Sequence, residues 1–444
     1  MLDAFGKMKY EPKITVGITD RQTDVTGRFD GQFRAEGFGP VSGPFSAKAT
    51  TGVIVLSDES HREICRSPWV KISGAEDSTF RLFNVIIGNR FHWERREDQT
   101  FRGDLILQPR KNDTITAINE IPLEDYLTSV ISSEMNAAAP MEFLKAHAIL
   151  SRSWLLAALH RGKKTGETSG PTWKSVEKEG EVIRWYERED HDLFDVCADD
   201  HCQRYQGITK IVSEQAAKAV RETLGRVITT QDEICDARYS KACGGLTEEF
   251  GTAWEDKRVP YLGSVSDAPV PHRPIEKEEE ARRWILSVPE AYCNTKDDRL
   301  LEKILPDVDR ETQSFFRWTI EYSRAELEEI LREKSDFDFG TLQEIAPLHR
   351  GPSGRISRLK IVGSKRSLVL GKELEIRRWL SRSHLYSSAF VVTFEAGHVI
   401  FHGAGWGHGV GLCQIGAAVM ATRGFSAEEI LGHYFRGTEI RKIY

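Results

Sequence analysis

Two hydrophobic periods alternate along the chain. From residue 13 to about 118, apolar residues come in short runs (ITVGI, GVIVL, WVKI, FNVII, DLILQ) set apart by Gly, Asp and Ser clusters. Runs rich in Val and Ile between turn residues predict β-strands. From Ile121 to His160 the spacing changes to threes and fours, the helical period. Pro122 can open a helix, and Glu124 and Asp125 suit its first turn. The segment AAAP, ending in Pro140, separates it from a second helix over about 141–160. Residues 161–208, rich in Gly, Trp and charge, show no period and are expected to be irregular. A helix over about 213–224 stops at Leu224-Gly225, and a strand follows at 226–230.

Beyond the Gly-rich stretch YSKACGGLTEEFGTAW, charge dominates from about Pro269 to Ser381. The pattern there predicts solvated helices at 275–287, 324–334 and 372–380, with strands at 357–362 and 366–370. A strand (AFVVTFE), a Gly-rich loop and two short helices complete the pattern, and Ser426 to Glu429 fits a capping box. No internal repeat or low-complexity linker is visible. The expected class is α+β with mainly antiparallel strands and a helical centre. Four stretches are expected: a β-rich region over 1–115, a helical core with a His/Cys cluster over 116–264, a charged α/β segment over 265–385, and a Gly-rich loop with helices over 386–444.

With 444 residues there is room for two or three hydrophobic cores. A net charge of −6 argues against nucleic acid as a partner, because its binders are usually basic. No apolar run approaches the ~20 residues of a transmembrane helix. The opening MLDAFGKMKYEPKITVGITD lacks the apolar core of a signal peptide, so either the protein is not exported or a leader has been removed. Seven cysteines are too few for a disulfide scaffold of this length.

Four clusters carry candidate chemistry. In LEDYLTSVISSEM, Leu123, Leu127, Val130 and Ile131 form an apolar stripe, and Glu134 follows Leu127 by seven residues. At ~100° per residue Glu134 falls within about 20° of that stripe. Desolvation at such a position favours a protonated carboxyl, which a general acid requires. The alternative is a side chain leaving for solvent at a frayed helix end. In HDLFDVCADDHC, His191, Cys197, His201 and Cys202 fall within twelve residues. Thiolates and imidazoles so spaced suit tetrahedral zinc. The alternatives are reduced thiols beside surface histidines, or a local disulfide if the protein is exported. In GAGWGHGVGLCQ, alternating glycines surround His408, either to let backbone approach a ligand or as a tight turn. No Gly-Lys-Ser/Thr follows, which excludes a phosphate loop. In YSKACGG, Cys243 is either a nucleophile with His408 as base or a buried small residue.

Taken in order, LEDYLTSVISSEM, LKAHAILSRSWLLAAL, CQRYQG, YSKACGGLTEE, SGRISRLKI and GWGHGVGLCQIGAAVMATRGFSAEEILGHYF resemble the SpoIID/LytB family from about residue 115 to 444. Cys413, where that family commonly has Ser or another small residue, and Trp154, in a place usually held by Tyr, depart from the pattern. The resemblance implies lytic cleavage of peptidoglycan glycan between MurNAc and GlcNAc, leaving an anhydro-MurNAc end, on strands lacking stem peptides. It maps the acid/base to Glu134 and zinc ligands to His191, Cys197 and Cys202. It also implies a cell-envelope location, given a missing export signal. Tyr239 or the sugar's N-acetyl group would then stabilise the oxocarbenium-like centre, and Arg152, Gln203, Tyr205, Ser240, His408 and Gln414 would hold the glycan. Two rival classes stand beside this one: a non-catalytic, glycan-binding enhancer of a cell-wall amidase, and a cysteine enzyme built on Cys243 and His408.

Overall fold

A computed structural model describes residues 10–88, 94–165, 174–186, 191–310 and 314–444. The fold is α+β. The Val- and Ile-rich runs form one large sheet in which Lys13–Gln22 pairs antiparallel with Ile115–Pro122, and Asp104–Pro109 lies on the far side of the latter. Alternation buries Phe29, Phe33, Phe45, Phe80 and Phe101 on one face, with the Phe29 and Phe45 rings stacked 4.4 Å apart. The strand Ile115–Pro122 runs straight into the first helix, so the sheet fixes where that helix starts.

That helix, α1 (Leu123–Glu134), is followed after the predicted break by α2 (Met141–Thr165). The expected single apolar stripe is a correction. Besides Leu123, Leu127, Val130 and Ile131, α1 buries Thr128, Ser129, Ser132 and Ser133. A helix buried on nearly every side is a central one. Two of its hydroxyls are satisfied within the helix: Thr128 Oγ1 donates to the Glu124 carbonyl at 3.0 Å and Ser132 Oγ to the Thr128 carbonyl at 2.7 Å. Their small size lets α2 and the helix Glu214–Glu222 pack against α1.

The stretch 161–208 is less irregular than its composition suggests. Lys174–Lys178 and Glu181–Trp185 form a hairpin, and the second strand joins Ser367–Gly371 in parallel. Every position of Lys174–Lys178 is exposed, so no apolar alternation marks it in the sequence. Residues 166–173 and 187–190 of this stretch lie outside the described residues. Among the named strands pairing is antiparallel except here, between Lys13–Gln22 and Val196–Cys197, and between Tyr239–Ser240 and Leu412–Cys413. The charged helices appear as Glu278–Leu286, Arg324–Ser335 and Glu373–Trp379, and the Ser426–Glu429 capping box forms as expected. Among the described residues, no helix is long and apolar enough to cross a membrane.

One buried ion pair ties the ends of this assembly together. Arg152 on α2 is fully buried, and its Nε donates to Glu124 Oε1 on α1 at 2.9 Å. Its Nη1 donates to the Arg226 carbonyl, also at 2.9 Å. The Tyr444 hydroxyl closes over the same carboxylate, and the adjoining strand Glu439–Lys442 pairs with Arg226–Thr230.

Candidate functional site

Glu134 is the last residue of α1 and is only 8% exposed, so it does not leave for solvent. Its Oε1 accepts hydrogen bonds from the Arg204 backbone N–H at 3.0 Å and from the Tyr239 hydroxyl at 2.9 Å. Its own carbonyl, at the negative end of the helix, accepts from Lys241 Nζ at 2.8 Å. Tyr239 and Lys241 come from the segment that begins with the two-residue strand Tyr239–Ser240. Alternation along it sends both side chains toward the end of α1, with Ser240 between them.

Charges around this carboxyl group are paired. Lys241 Nζ lies 2.7 Å from Asp309 Oδ2, and Arg204 Nη1 lies 3.3 Å from the same oxygen. Arg204 also pairs with Asp200. Burial pushes the Asp309 carboxyl up, but Lys241 and Arg204 outweigh it and hold the group below the usual range. For Asp200 burial wins and the shift is upward. Burial, and then the neighbouring Glu134, raise the Tyr239 phenol well above its usual value, so it stays a donor. The His147 ring meets Tyr239 edge-on at 5.0 Å. Gln414 Nε2 donates to His147 Nε2 at 3.1 Å, which needs a neutral imidazole. Burial, with Lys241 adding to it, lowers His147 to about 3. His147 Nδ1 and Ser240 Oγ are buried with no hydrogen-bond partner among the described residues.

Glu134, Tyr239 and Gln414 are thus brought together, and His147 and Lys241 are members that sequence reasoning missed. His147 sits five residues before Arg152 on the same helix, a spacing that puts it on another face. Other expected residues are placed differently. Arg152 is locked in its ion pair with Glu124, away from any glycan. Gln203 and Tyr205 are fully buried supports: Gln203 lies beside Tyr239 and its Oε1 accepts from the Tyr126 hydroxyl at 3.2 Å, while the Tyr205 hydroxyl donates to Asn119 Oδ1. His408 packs edge-on against Trp254 at 4.9 Å, and its Nδ1 accepts from the Val410 N–H at 3.0 Å. Burial, and then Arg238 and Arg355, hold His408 well below the usual histidine range.

The glycine loop is scaffold. Gly405, Gly407, Gly409 and Gly411 all have positive φ, 75–88°. A side chain on Gly411 would meet the Arg238 carbonyl at 2.1 Å, and one on Gly409 the Arg355 guanidinium at 2.4 Å. The loop therefore lies against the chain's own backbone and arginine. Nor does Cys243 meet His408. Its sulfur faces Cys293 at 3.7 Å, and burial raises the thiol well above its ordinary value, so a cysteine–histidine nucleophile is not assembled.

The second predicted cluster does assemble, and His201 stands with the three residues that the resemblance maps as ligands. His191, Cys197, His201 and Cys202 bring their ligand atoms within 4.8 Å of one another. His191 Nε2 is 3.4 Å from Cys202 Sγ, and His201 Nδ1 is 3.5 Å from Cys202 Sγ and 3.7 Å from Cys197 Sγ. Zn–S and Zn–N bonds of 2.3 and 2.0–2.1 Å at a tetrahedral angle give an N···S edge of about 3.6 Å. The donor set fits a four-coordinate metal ion. His201 is exposed, but the fold brings its Nδ1 against both thiols. A cleft of about 1000 Å³ opens beside this group, along residues 17–26 and 82–87. Glu134 is not among the residues that line it.

Residues 111–230 match a family model described as stage II sporulation protein, SpoIID, and residues 248–411 match one described as a domain of unknown function. The chain is 24% identical over 324 residues to stage II sporulation protein D of Bacillus amyloliquefaciens, covering 73% of this chain and 75% of that protein. Its counterpart in Bacillus subtilis is 22% identical over 344 residues, 77% of this chain and 81% of the relative. An amidase enhancer of Bacillus subtilis is 25% identical over 333 residues, 71% of this chain and 40% of that protein.

Proposed function

Because residues 111–230 carry a SpoIID-family domain, we propose that the cell-wall-related role of this chain is lytic cleavage of peptidoglycan glycan between MurNAc and GlcNAc, with Glu134 as acid/base. The observation that carries this reading is a buried carboxyl group with both of its donors, Tyr239 and the Arg204 N–H, on Oε1. The transferable proton then belongs on Oε2. Glu134 gives it to the glycosidic oxygen as the bond to the anomeric carbon breaks. The carboxylate next takes the proton of the same sugar's 6-hydroxyl, which closes onto the anomeric carbon and leaves the anhydro end. Hydrolysis would need a second carboxylate to activate water. The nearest candidates, Asp200 and Asp309, are engaged by Arg204 and Lys241. Ser240 and His147 lie buried behind the carboxyl group, with Oγ and Nδ1 unpartnered among the described residues, and Gln414 holds His147.

The His/Cys group acts through position. His191, Cys197, His201 and Cys202 would hold zinc, whose charge would neutralise the thiolates. Arg204, two residues after Cys202, donates its N–H to Glu134, so fixing this loop fixes that hydrogen bond. The substrate would be glycan stripped of stem peptides, met in the cell envelope. A second reading follows from the amidase enhancer's similarity: a non-catalytic glycan binder that assists another hydrolase. Mass spectrometry of products from denuded glycan separates the two. The purified protein should release anhydro-MurNAc ends, and Glu134→Gln should lose at least ~100-fold of that activity while staying folded. Undiminished cleavage by Glu134→Gln sinks the mechanism, and absence of cleavage by the native protein favours the enhancer.

A further inference from the structure

We propose that Cys243, Cys293, Cys413 and Asp267 form a second, buried zinc site, separate from the His/Cys group, that clamps the strand carrying Tyr239 to the strand that leads into Gln414. The four ligand atoms lie within 4.8 Å of one another, and all four residues are buried. Cys243 Sγ and Cys293 Sγ are 3.7 Å apart. Zinc–sulfur bonds of 2.3 Å in a tetrahedron put sulfurs about 3.8 Å apart, whereas a disulfide needs about 2.05 Å.

The surroundings are those of bound thiolates. The Cys243 N–H donates to Cys413 Sγ at 3.2 Å, and the Gly245 N–H turns back to Cys243 Sγ at 3.3 Å. That turn needs Gly244 and Gly245, whose φ values are +83° and +105°. Asp267 is oriented as a ligand should be: Oδ1 accepts from the Tyr434 hydroxyl at 2.5 Å, and Oδ2 from the Cys293 N–H at 2.9 Å. A side chain on Gly416 would strike Oδ1 at 2.2 Å, so the glycine leaves this carboxylate its space. Three thiolates and one carboxylate around Zn²⁺ leave two negative charges, the same as a Cys₄ structural site. The Arg317 guanidinium sits beside Cys243 and Cys293 and donates to the Gly244 carbonyl at 3.0 Å, which offsets part of that charge.

The ligands come from distant parts of the sequence: Cys243 is 50 residues from Cys293 and 170 from Cys413. Cys413 belongs to the strand that pairs with Tyr239–Ser240, with Tyr239 opposite Leu412 and Ser240 opposite Cys413. Two-residue strands have little stability of their own. A metal bound by Cys413 within one strand and Cys243 just beyond the other holds their register, and with it Tyr239 against Glu134.

The test is elemental analysis of the full chain, isolated anaerobically without chelator, beside the variant Cys197→Ser/Cys202→Ser, which lacks the first group's thiols. The variant should keep one zinc per chain. Exchange with Co²⁺ should give it sulfur-to-cobalt charge-transfer bands in the near ultraviolet and tetrahedral bands in the visible. Adding Cys293→Ser should abolish those bands. Should that triple variant not fold, the band intensity of the parent variant still counts its thiolate ligands, and three are expected. A double variant that holds no zinc and takes up no cobalt overturns the site, as does a Cys243–Cys293 disulfide in the native protein.

Discussion

A carboxyl group that must both give and take a proton cannot have both oxygens tied to donors. Glu134 meets this condition, with its hydrogen bonds gathered on Oε1. Tyr239→Phe removes one of them while leaving the ring against His147. Turnover of denuded glycan should fall about tenfold, the worth of one ordinary hydrogen bond, with little change in thermal stability. The buried histidines set a pH dependence. His147 is lowered to about 3 by burial, against about 6.5 in an unfolded chain. Its depressed value means the stability it contributes is complete above about pH 6.5 and drains away as pH falls toward 3. His408 acts in the same direction. The urea midpoint should therefore be lower at pH 5 than at pH 7, and His147→Gln should reduce that difference without removing it. The burial of Glu134 is expected from its spacing to Leu127, but α1 is buried on nearly every side, so that spacing does not by itself single the residue out. Arg152 was misjudged because no spacing shows that its partner, Glu124, already occupies it.

At the scale of elements, the alternating glycines read as a cradle for a ligand but serve as packing. They let residues 405–411 lie on the backbone of 238–243 and on Arg355. Gly409→Ala should destabilise the fold by roughly 1–3 kcal/mol through overpacking against that guanidinium, seen as a lowered melting temperature. If the loop instead served mainly to admit sugar, the same change would spare stability and raise KM. The long helices and the Val-rich strands were visible in the sequence because one period persists over many residues. The hairpin at 174–185 was not, because its outer strand is wholly exposed and its inner one is stabilised by Ser367–Gly371, far along the chain. The two-residue strands Tyr239–Ser240 and Leu412–Cys413 are too short to have a period at all.

At the scale of the whole molecule, the large sheet leads into the start of α1 and the His/Cys loop reaches its last residue. Val196–Cys197 joins the sheet through Lys13–Gln22, so the first metal group is anchored to the β-rich part while Arg204 reaches the helical one. Metal at this group should appear as zinc in the isolated protein. A His191→Ala/His201→Ala variant should lose one zinc per chain and, with it, most glycan cleavage. Unchanged zinc content in that variant would remove the group from the account. The α+β class was readable in the sequence, since it is a sum of local patterns; the convergence was not, since it depends on contacts between distant segments. The ion pair of Arg152 and Glu124 carries a consequence for timing. Its covering hydroxyl, Tyr444, lies 320 positions after Glu124, and the strand beside it completes the pairing of Arg226–Thr230. While a ribosome is still making the intervening residues, the two central helices lack their last partner. Tyr239, 105 positions after Glu134, and Gln414 emerge late as well. The acid/base centre proposed above, assembled in this order, would stay inert in a nascent chain until Gln414 has been made.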